Sequence, residues 1–251
     1  MTGTTEIVVH PNADLLAAAA AARLIGKLVD VQAAGRIPTV ALTGGGAGIA
    51  TLAQLNASAA RDAVDWTRVE IYWGDERFVP AADPDRNAGQ ARAALLDHVP
   101  VDSARVHEMT ASDGEFGDDV DAAAAAYVTT LPSAFDLVLL GMGPEGHAAS
   151  VFPHSPALTD DRLVFAVGDF PKPPPTRISL TLPTIRTADE VWMLVAGTEK
   201  SEAVASAIGG AAEDDVPVAG ATGRSVTRWL LDPGSASKLP GRGAAGAAPA
   251  R

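Results

Sequence analysis

Short apolar runs alternate along the chain with longer segments rich in Ala and Leu. The apolar runs predict strands at residues 6–10, 38–44, 68–78, 135–141, 163–168, 177–182 and 190–197. The longer segments predict helices at residues 12–35, 49–60, 87–99, 119–131 and 198–208, the first with Asn12 as its N-cap and Gly35 just past its end. Strands separated by helices of this length are typical of βαβ units. We therefore predict an α/β fold with a mainly parallel sheet, helices on both faces and a few additional strands.

The same pattern indicates one main domain. An acidic loop and the connector PKPPPT at residues 171–176 interrupt the alternation without dividing it. A single α/β catalytic domain is therefore predicted for residues 1–232. Residues 233–251 are rich in Gly, Ala and Pro and offer little apolar surface to bury, so we predict a flexible tail there.

Composition and charge narrow the classes of function. No apolar stretch approaches the roughly 20 residues that a membrane span needs, and the N-terminus has no basic stretch followed by an apolar one. The chain has no cysteine, which fits a cytoplasmic protein. The net charge of −12 argues against nucleic acid as a partner, and an anionic ligand would need its own cluster of Arg and Lys. We expect neither a membrane nor a nucleic acid partner, and a monomer or small homo-oligomer.

Four predicted strands end in loops that carry glycines or charged side chains. These loops are TGGGAG at 43–48, WGDERF at 73–78, GMGPEGH at 141–147 and GTEK at 197–200. In open α/β sheets, ligand sites form at the carboxyl ends of the strands. The convergence of the four loops at these ends indicates a ligand site there.

GMGPEGH fits the dinucleotide-binding pattern G-x-G-x-x-G through Gly141, Gly143 and Gly146. Such a fingerprint should open a long helix, whereas Pro144 stiffens this loop and Pro153 follows too soon for one. TGGGAG also lacks the Lys and Ser/Thr of a nucleotide-binding P-loop, so a nucleotide triphosphate is no better supported than a dinucleotide. The glycines instead let the backbone pass close to a ligand, with free N–H groups at the start of a short helix.

His147 follows that loop, where a strand end meets a helix start. A neutral imidazole can take up a proton near pH 7, which suits a general base, although a structural role is the alternative. His10, His98 and His107 are expected to be structural or solvated, and His154 could approach the site. No spacing typical of zinc ligands occurs, so no metal is expected.

Several segments together resemble one family. TVALTGGG, VEIYWGDERFVP, FDLVLLGMGPEGHAASVFP, RISLTLPTI and WMLVAGTEK occur in the order and approximate spacing of 6-phosphogluconolactonases, over about residues 6–232. The resemblance implies a Rossmann-like α/β fold that is shared with glucosamine-6-phosphate deaminases. It also implies hydrolysis of a sugar-phosphate lactone, 6-phospho-D-glucono-1,5-lactone, to 6-phosphogluconate in the oxidative pentose phosphate pathway, without an organic cofactor.

The resemblance assigns roles to individual residues. His147 would be the general base, and Asp75 an active-site carboxylate that could orient His147 or a substrate hydroxyl. Arg77, Arg177 and Lys200 would bind the phosphate, and a dianion does need local cations in so acidic a chain. The other substrate-binding residues would be Gly44, Gly45, Gly46, Asn87 and Gly143.

Three positions depart from the family pattern. Glu145 stands where Asp is usual and is expected to face outward, Gly46 replaces a hydroxyl residue, and RNAG at 86–89 leaves the partner of Asn87 open. Arg77, beside Asp75 and Glu76, could instead form a surface ion pair.

Two other functions stay open. One is an amino-sugar phosphate deaminase or isomerase of the same fold, and the other is a non-catalytic sugar-phosphate-binding protein.

Overall fold

The computed structural model describes residues 3–169 and 171–240. The strands in this part of the chain are β1 (Thr4–Val9), β2 (Thr39–Leu42), β3 (Glu70–Trp73), β4 (Asp75–Arg77), β5 (Leu137–Leu140), β6 (Val164–Val167), β7 (Arg177–Leu180), β8 (Glu190–Val195) and β9 (Val226–Leu231). The α-helices are α1 (Ala13–Ala33), α2 (Gly45–Ala57), α3 (Asn87–Ala94), α4 (Val120–Val128), α5 (Leu182–Ile185) and α6 (Ser201–Ile208). Short 3-10 turns join several of these elements.

Six strands form the main sheet, in the order β1-β9-β8-β5-β2-β3. All neighbouring strands in this sheet are parallel, as the alternation of strands and helices predicts. The chain reaches β3 at one edge and then returns to place β5 on the other side of β2. Because of this reversal, the carboxyl ends of β3, β2, β5 and β8 lie side by side where ligands bind in open α/β sheets.

Alternate side chains of the central strands enter two separate hydrophobic cores. In β5, Leu137 and Leu139 pack with α1, α2 and α3. Val138 and Leu140 point to the opposite face and pack with α4, α6 and the strands β6 and β7. Successive side chains of a strand point to opposite faces, so a central strand in a fully covered sheet is apolar throughout. Helices therefore cover both faces, and the predicted α/β class is confirmed.

A second, antiparallel sheet of three strands, β4-β7-β6, packs on one of these cores. The sequence predicts one strand over residues 68–78, but Gly74 divides it, with β3 before it in the main sheet and β4 after it in the small one. The Gly74 N–H donates to the carbonyl of Leu42 at 2.9 Å, and its carbonyl accepts from the N–H of Leu180 at 2.9 Å. Gly74 thus joins the two sheets through backbone hydrogen bonds.

Strand β9 lies inside the main sheet and was not predicted. It pairs with β1 on one side and β8 on the other. Conversely, the predicted helix over residues 87–99 is too long. The helix α3 ends at Ala94, because Leu95 leaves the helical region with φ −145° and a 3-10 turn follows.

The predicted ends of α1 are confirmed. The side chain of Asn12 accepts a hydrogen bond from the N–H of Leu15 at 2.9 Å, which caps the first turn. Gly35 has φ +78°, the left-handed conformation that commonly ends a helix. Among the helices of residues 3–169 and 171–240, none combines the length and hydropathy of a membrane span.

The segment after β9 corrects the predicted boundary of the tail. Residues 233–240 form a turn in which Ser235, Ala236 and Leu239 are buried. The hydroxyl of Ser235 donates to the carbonyl of Val195 at 2.8 Å, which ties the turn to β8. Two small residues and one leucine therefore suffice to keep this part of the segment packed. The rest of the predicted tail, residues 241–251, lies outside the described residues.

Candidate active site

The four predicted loops surround one cavity of about 300 Å³ at the carboxyl edge of the main sheet. All ten residues proposed from the sequence line it. These are Gly44, Gly45, Gly46, Asp75, Arg77, Asn87, Gly143, His147, Arg177 and Lys200. Lys172, from the proline-rich connector, lines the same cavity and was not predicted. The structure therefore brings together every candidate side chain and adds a further cation.

The N-terminus of α2 faces into this cavity. Gly44, Gly45 and Gly46 line it, and Gly44 precedes the helix without a side chain that caps the first N–H groups. Uncapped N–H groups and the positive end of the helix dipole favour an anion. Gly45 has φ +78°, and a Cβ on Gly44 would lie 1.8 Å from Oδ1 of Asn87. Glycine at these two positions therefore allows the tight turn and the close approach of Asn87.

His147 lies beside a carboxylate, and that carboxylate belongs to Glu145. Nδ1 of His147 is 3.3 Å from Oε1 of Glu145, and the same oxygen is 2.5 Å from Nζ of Lys172. Both carboxylate oxygens of Glu145 are buried, so the prediction that this side chain faces outward is wrong. Burial alone would raise the pKa of Glu145, but the contacts with His147 and Lys172 lower it to about 2.

The turn that carries His147 is tightly wound. Gly146 has φ +80°, and its N–H donates to the carbonyl of Gly143 at 3.1 Å. Two residues beyond His147, Ala149 has φ +51°, which is uncommon for a residue with a Cβ. The ring of Phe152 stacks on the imidazole, with centroids 6.2 Å apart. Backbone geometry and an aromatic contact thus fix the direction of the His147 side chain.

Asp75 begins β4 and is almost fully buried. Its Oδ2 accepts a hydrogen bond from the hydroxyl of Ser150 at 2.7 Å and lies 3.7 Å from Nη1 of Arg177. The Ser150 N–H donates in turn to the hydroxyl of Ser179 at 3.0 Å. The contacts of Asp75 therefore connect the loop after β5 with β7, and no motif in the sequence indicates Ser150 as its partner.

Arg77 and Arg177 are directly opposite each other in the pairing of β4 with β7. Like charges at such positions destabilise a sheet unless something offsets their repulsion. Burial lowers the pKa of Arg177, an effect that Asp75 opposes and Arg77 reinforces. Nε of Arg77 is buried without a hydrogen-bond partner, while its Nη1 donates to Oδ1 of Asn87 at 2.6 Å. An anion between the two guanidinium groups would satisfy this donor and remove the repulsion.

Glu76 holds the start of α3 against β4. Its carboxylate accepts from the N–H groups of Arg77, Asn87 and Ala88, at 2.7–2.8 Å. Burial raises the pKa of Glu76, against the effect of these hydrogen bonds. The amide of Asn87 donates to the carbonyl of Asp75 at 2.8 Å. The partners of Asn87, which the sequence leaves open, are therefore the Arg77 guanidinium and the carbonyl of Asp75.

The cavity is rich in cations although the chain is acidic. Arg77, Arg177, Lys172 and Lys200 line it, with Asp75 as the acidic residue among its lining residues. A concave site with this charge concentrates anions despite the net charge of −12. Within residues 3–169 and 171–240, no group of His, Cys, Asp and Glu has the arrangement of a metal site.

Known proteins resemble this chain in sequence and in fold. The family described as "Glucosamine-6-phosphate isomerases/6-phosphogluconolactonase" matches residues 11–229. A 6-phosphogluconolactonase of Streptomyces coelicolor is 54% identical, over 96% of this chain and 97% of its own length. One of Mycobacterium tuberculosis is 52% identical, over 94% of this chain and 99% of its own length. The solved 6-phosphogluconolactonase of Trypanosoma brucei has a TM-score of 0.80 at 28% identity, over 95% of this chain and 100% of that one.

Proposed function

The chain belongs to the glucosamine-6-phosphate isomerase and 6-phosphogluconolactonase family, and we propose that it hydrolyses 6-phospho-D-glucono-1,5-lactone to 6-phosphogluconate in the cytoplasm, in the oxidative pentose phosphate pathway. One observation carries this proposal: the same cavity holds an imidazole beside a carboxylate and, separately, two arginines that face each other across paired strands. The first arrangement suits proton transfer, and the second suits a phosphate dianion.

The phosphate binds between Arg77 and Arg177, with Lys200 as a third cation. Arg77 has a buried donor, Nε, that lacks a partner, and both guanidinium groups are held by hydrogen bonds to backbone carbonyls. The planar guanidinium fork matches phosphate oxygens better than an ammonium does. The N-terminus of α2 adds N–H groups that favour an anion at the same cavity.

His147 acts as the general base on a water molecule that attacks the lactone carbonyl. Oxygen from water bonds to the carbonyl carbon, and the imidazole takes the proton. The ring C–O bond then breaks, and the protonated imidazole returns the proton to the leaving ring oxygen. Glu145 contacts the imidazole from the Nδ1 side at 3.3 Å, and Nε2 is the nitrogen that we assign to the proton transfer.

The negative charge on the attacked carbonyl oxygen is stabilised by backbone N–H groups of the turn at residues 143–147. Gly146 already donates to the carbonyl of Gly143, so Gly143, which lines the cavity, is the better-placed donor. Base catalysis by a positioned imidazole contributes about 10²–10⁴-fold to a rate, and oxyanion stabilisation a similar amount. No covalent intermediate is needed, because the cyclic ester is already electrophilic.

The test is an assay with freshly prepared 6-phosphogluconolactone, corrected for spontaneous ring opening. We expect rapid hydrolysis by the purified protein and no ammonia from glucosamine 6-phosphate. Ammonia release without lactone hydrolysis would assign the deaminase function instead, and binding without either reaction would assign a non-catalytic role.

Two variants separate the parts of the mechanism. His147→Ala should fold and lose about two to four orders of magnitude in rate on any lactone, with exposed His98→Ala as its control. Arg177→Ala should lose about ten- to a hundredfold in kcat/KM, the equivalent of 1.5–3 kcal/mol, on the phosphorylated lactone but far less on plain gluconolactone. Equal losses on both substrates would remove Arg177 from the phosphate site, and a fully active His147→Ala protein would overturn the mechanism.

A further inference from the structure

Lys172 and His147 contact the same carboxylate oxygen of Glu145. Oε1 of Glu145 lies 2.5 Å from Nζ of Lys172 and 3.3 Å from Nδ1 of His147. The carboxylate therefore faces two groups that compete for it, one a permanent cation and the other an imidazole. The charge that Glu145 offers to His147 depends on how far Lys172 neutralises it.

The three side chains meet at Gly143. A Cβ at that position would lie 2.2 Å from Oε2 of Glu145, 2.6 Å from Nζ of Lys172 and 2.7 Å from Cε1 of His147. All three groups thus crowd the same point, where only a glycine leaves room. The other charged groups that line this cavity are Asp75, Arg77, Arg177 and Lys200. Of all these, Lys172 is the cation found in contact with the carboxylate beside the base.

The segment that carries Lys172 is fastened to the proposed phosphate site. Nε of Arg177 donates to the carbonyl of Pro174 at 3.1 Å, and Nη2 donates to the carbonyl of Lys172 at 3.4 Å. The side chain of Lys172 is still 45% exposed, so its position depends on these backbone contacts and on Glu145. Proline residues on both sides of it restrict the backbone further.

We propose that Lys172 is a positioning residue for the base, which fixes the Glu145 carboxylate and balances its negative charge beside His147. Without Lys172, the full charge of Glu145 would favour the protonated imidazole, which cannot take a proton from water. This inference rests on the proposed function only for its kinetic readout. The protonation of His147 can be measured directly.

The experiment compares the wild type with Lys172→Met, Lys172→Arg and the double variant Glu145→Gln/Lys172→Met. Proton NMR follows the imidazole Cε1–H signals against pH, and His147→Ala assigns the signal of interest. Lys172→Met should move the protonation midpoint of His147 upward by about one pH unit, the low end for a neighbouring charge because Lys172 is half exposed. Lys172→Arg should keep the midpoint, and the double variant should bring it back to the wild-type value or below.

The acid limb of kcat/KM should move in parallel, with kcat on the alkaline plateau little changed. A raised KM with an unmoved midpoint would overturn the proposal and make Lys172 a substrate contact. A lower plateau with an unmoved midpoint would reduce it to a structural residue. If the protein did not hydrolyse the lactone at all, the proposed function would fail while the NMR titration still decided the role of Lys172.

Discussion

At the scale of single residues, Gly143 leaves room for three side chains of the site to approach one another. Gly143 has no Cβ, and the space that a Cβ would take holds the ends of Glu145, Lys172 and His147. These are the flexible ends of side chains and not backbone atoms. A substitution there would therefore displace the proposed base and its two neighbours before it disturbed the fold.

Gly143→Ala should accordingly fold with near-normal stability and lose activity. Its Cβ would lie 2.2 Å from a carboxylate oxygen, which forces Glu145, and with it the imidazole, to move by about 1 Å. A displacement of that size at a reacting group can cost about a hundredfold in rate. Lactone hydrolysis and thermal unfolding are measured on the variant and on Gly168→Ala. Gly168 is exposed with open space around it, and its variant should match the wild type in both. Normal activity in Gly143→Ala would mean that the base does not need this crowded arrangement.

The candidate residues could be predicted from the sequence because each stands in a short motif at a strand end. His147, Asp75 and Arg77 come from GMGPEGH and WGDER, and the structure places them around one cavity. The contacts among them could not be predicted. The sequence predicts an outward-facing Glu145, which the structure contradicts, and Lys172 stands in a connector with no pattern of its own. A lysine inside a stiff proline segment, five residues before Arg177, was the one available signal.

At the scale of secondary structure, α1 carries a glycine that its position does not require. Gly26 is exposed in the helix interior, has ordinary helical φ, and has open space where a Cβ would be. Glycine in a helix interior costs about 0.5–1 kcal/mol relative to alanine. Gly35, just after the same helix, also has open space, but its φ is +78°. The two glycines therefore differ in backbone conformation and not in crowding.

Gly26→Ala should raise the free energy of unfolding by about 0.5–1 kcal/mol, or roughly 1–4 °C in Tm for a chain of this size. Gly35→Ala should lower the free energy of unfolding by about 1 kcal/mol, because a residue with a Cβ is strained in the left-handed region. Thermal and urea unfolding of the two variants check this pair. The same sign of change in both would show that conformation at Gly35 is not the controlling factor.

The elements that the sequence missed are those defined by distant partners. Strand β9 is stabilised by pairing with β1 and β8, which lie far away along the chain or beyond another helix, and its own run VTRWLL contains Thr227 and Arg228. The division of residues 68–78 into β3 and β4 depends on Gly74 bonding to two sheets at once. Local periodicity carries no information about either, because tertiary contacts decide them.

For the whole molecule, several carboxylates lose protons more readily in the folded state. Contacts with His147 and Lys172 outweigh burial and lower the pKa of Glu145 to about 2. The pKa of Asp189 and of Asp232 is also lowered, against burial, by Lys27 and by hydrogen bonds from Ser235. The Arg162 guanidinium lowers the pKa of Asp160. A lowered folded pKa means that the unfolded chain binds more protons, so stability falls as the pH falls.

The contribution of these carboxylates to the free energy of unfolding should therefore be complete above the pKa of unfolded carboxyl groups, near 4, and fall progressively as the pH drops below it. For Glu145 the loss continues down to its folded pKa of about 2. Burial raises the pKa of Glu76, which acts in the opposite sense and offsets a part of this loss. Thermal unfolding by circular dichroism between about pH 7 and pH 3 measures the slope. Glu145→Gln should flatten it, whereas Asp62→Asn at an exposed site serves as the control. An equally steep slope in Glu145→Gln would remove Glu145 as a contributor.

The backbone hydrogen bonds of Gly74 also bear on the length of ligand that fits the cavity. The backbone of Gly74 is hydrogen-bonded to Leu42 in the main sheet and to Leu180 in the small one, which connects the two sheets at this point. The opposed arginines belong to the small sheet and the imidazole to a loop of the main one. In the proposed mechanism the arginines hold the phosphate and the imidazole serves the carbonyl, so the distance between these two ends of the ligand depends on how the two sheets are joined. We therefore expect a sugar-phosphate lactone one carbon shorter to be a poorer substrate, because its two ends would be matched less well to the two parts of the site.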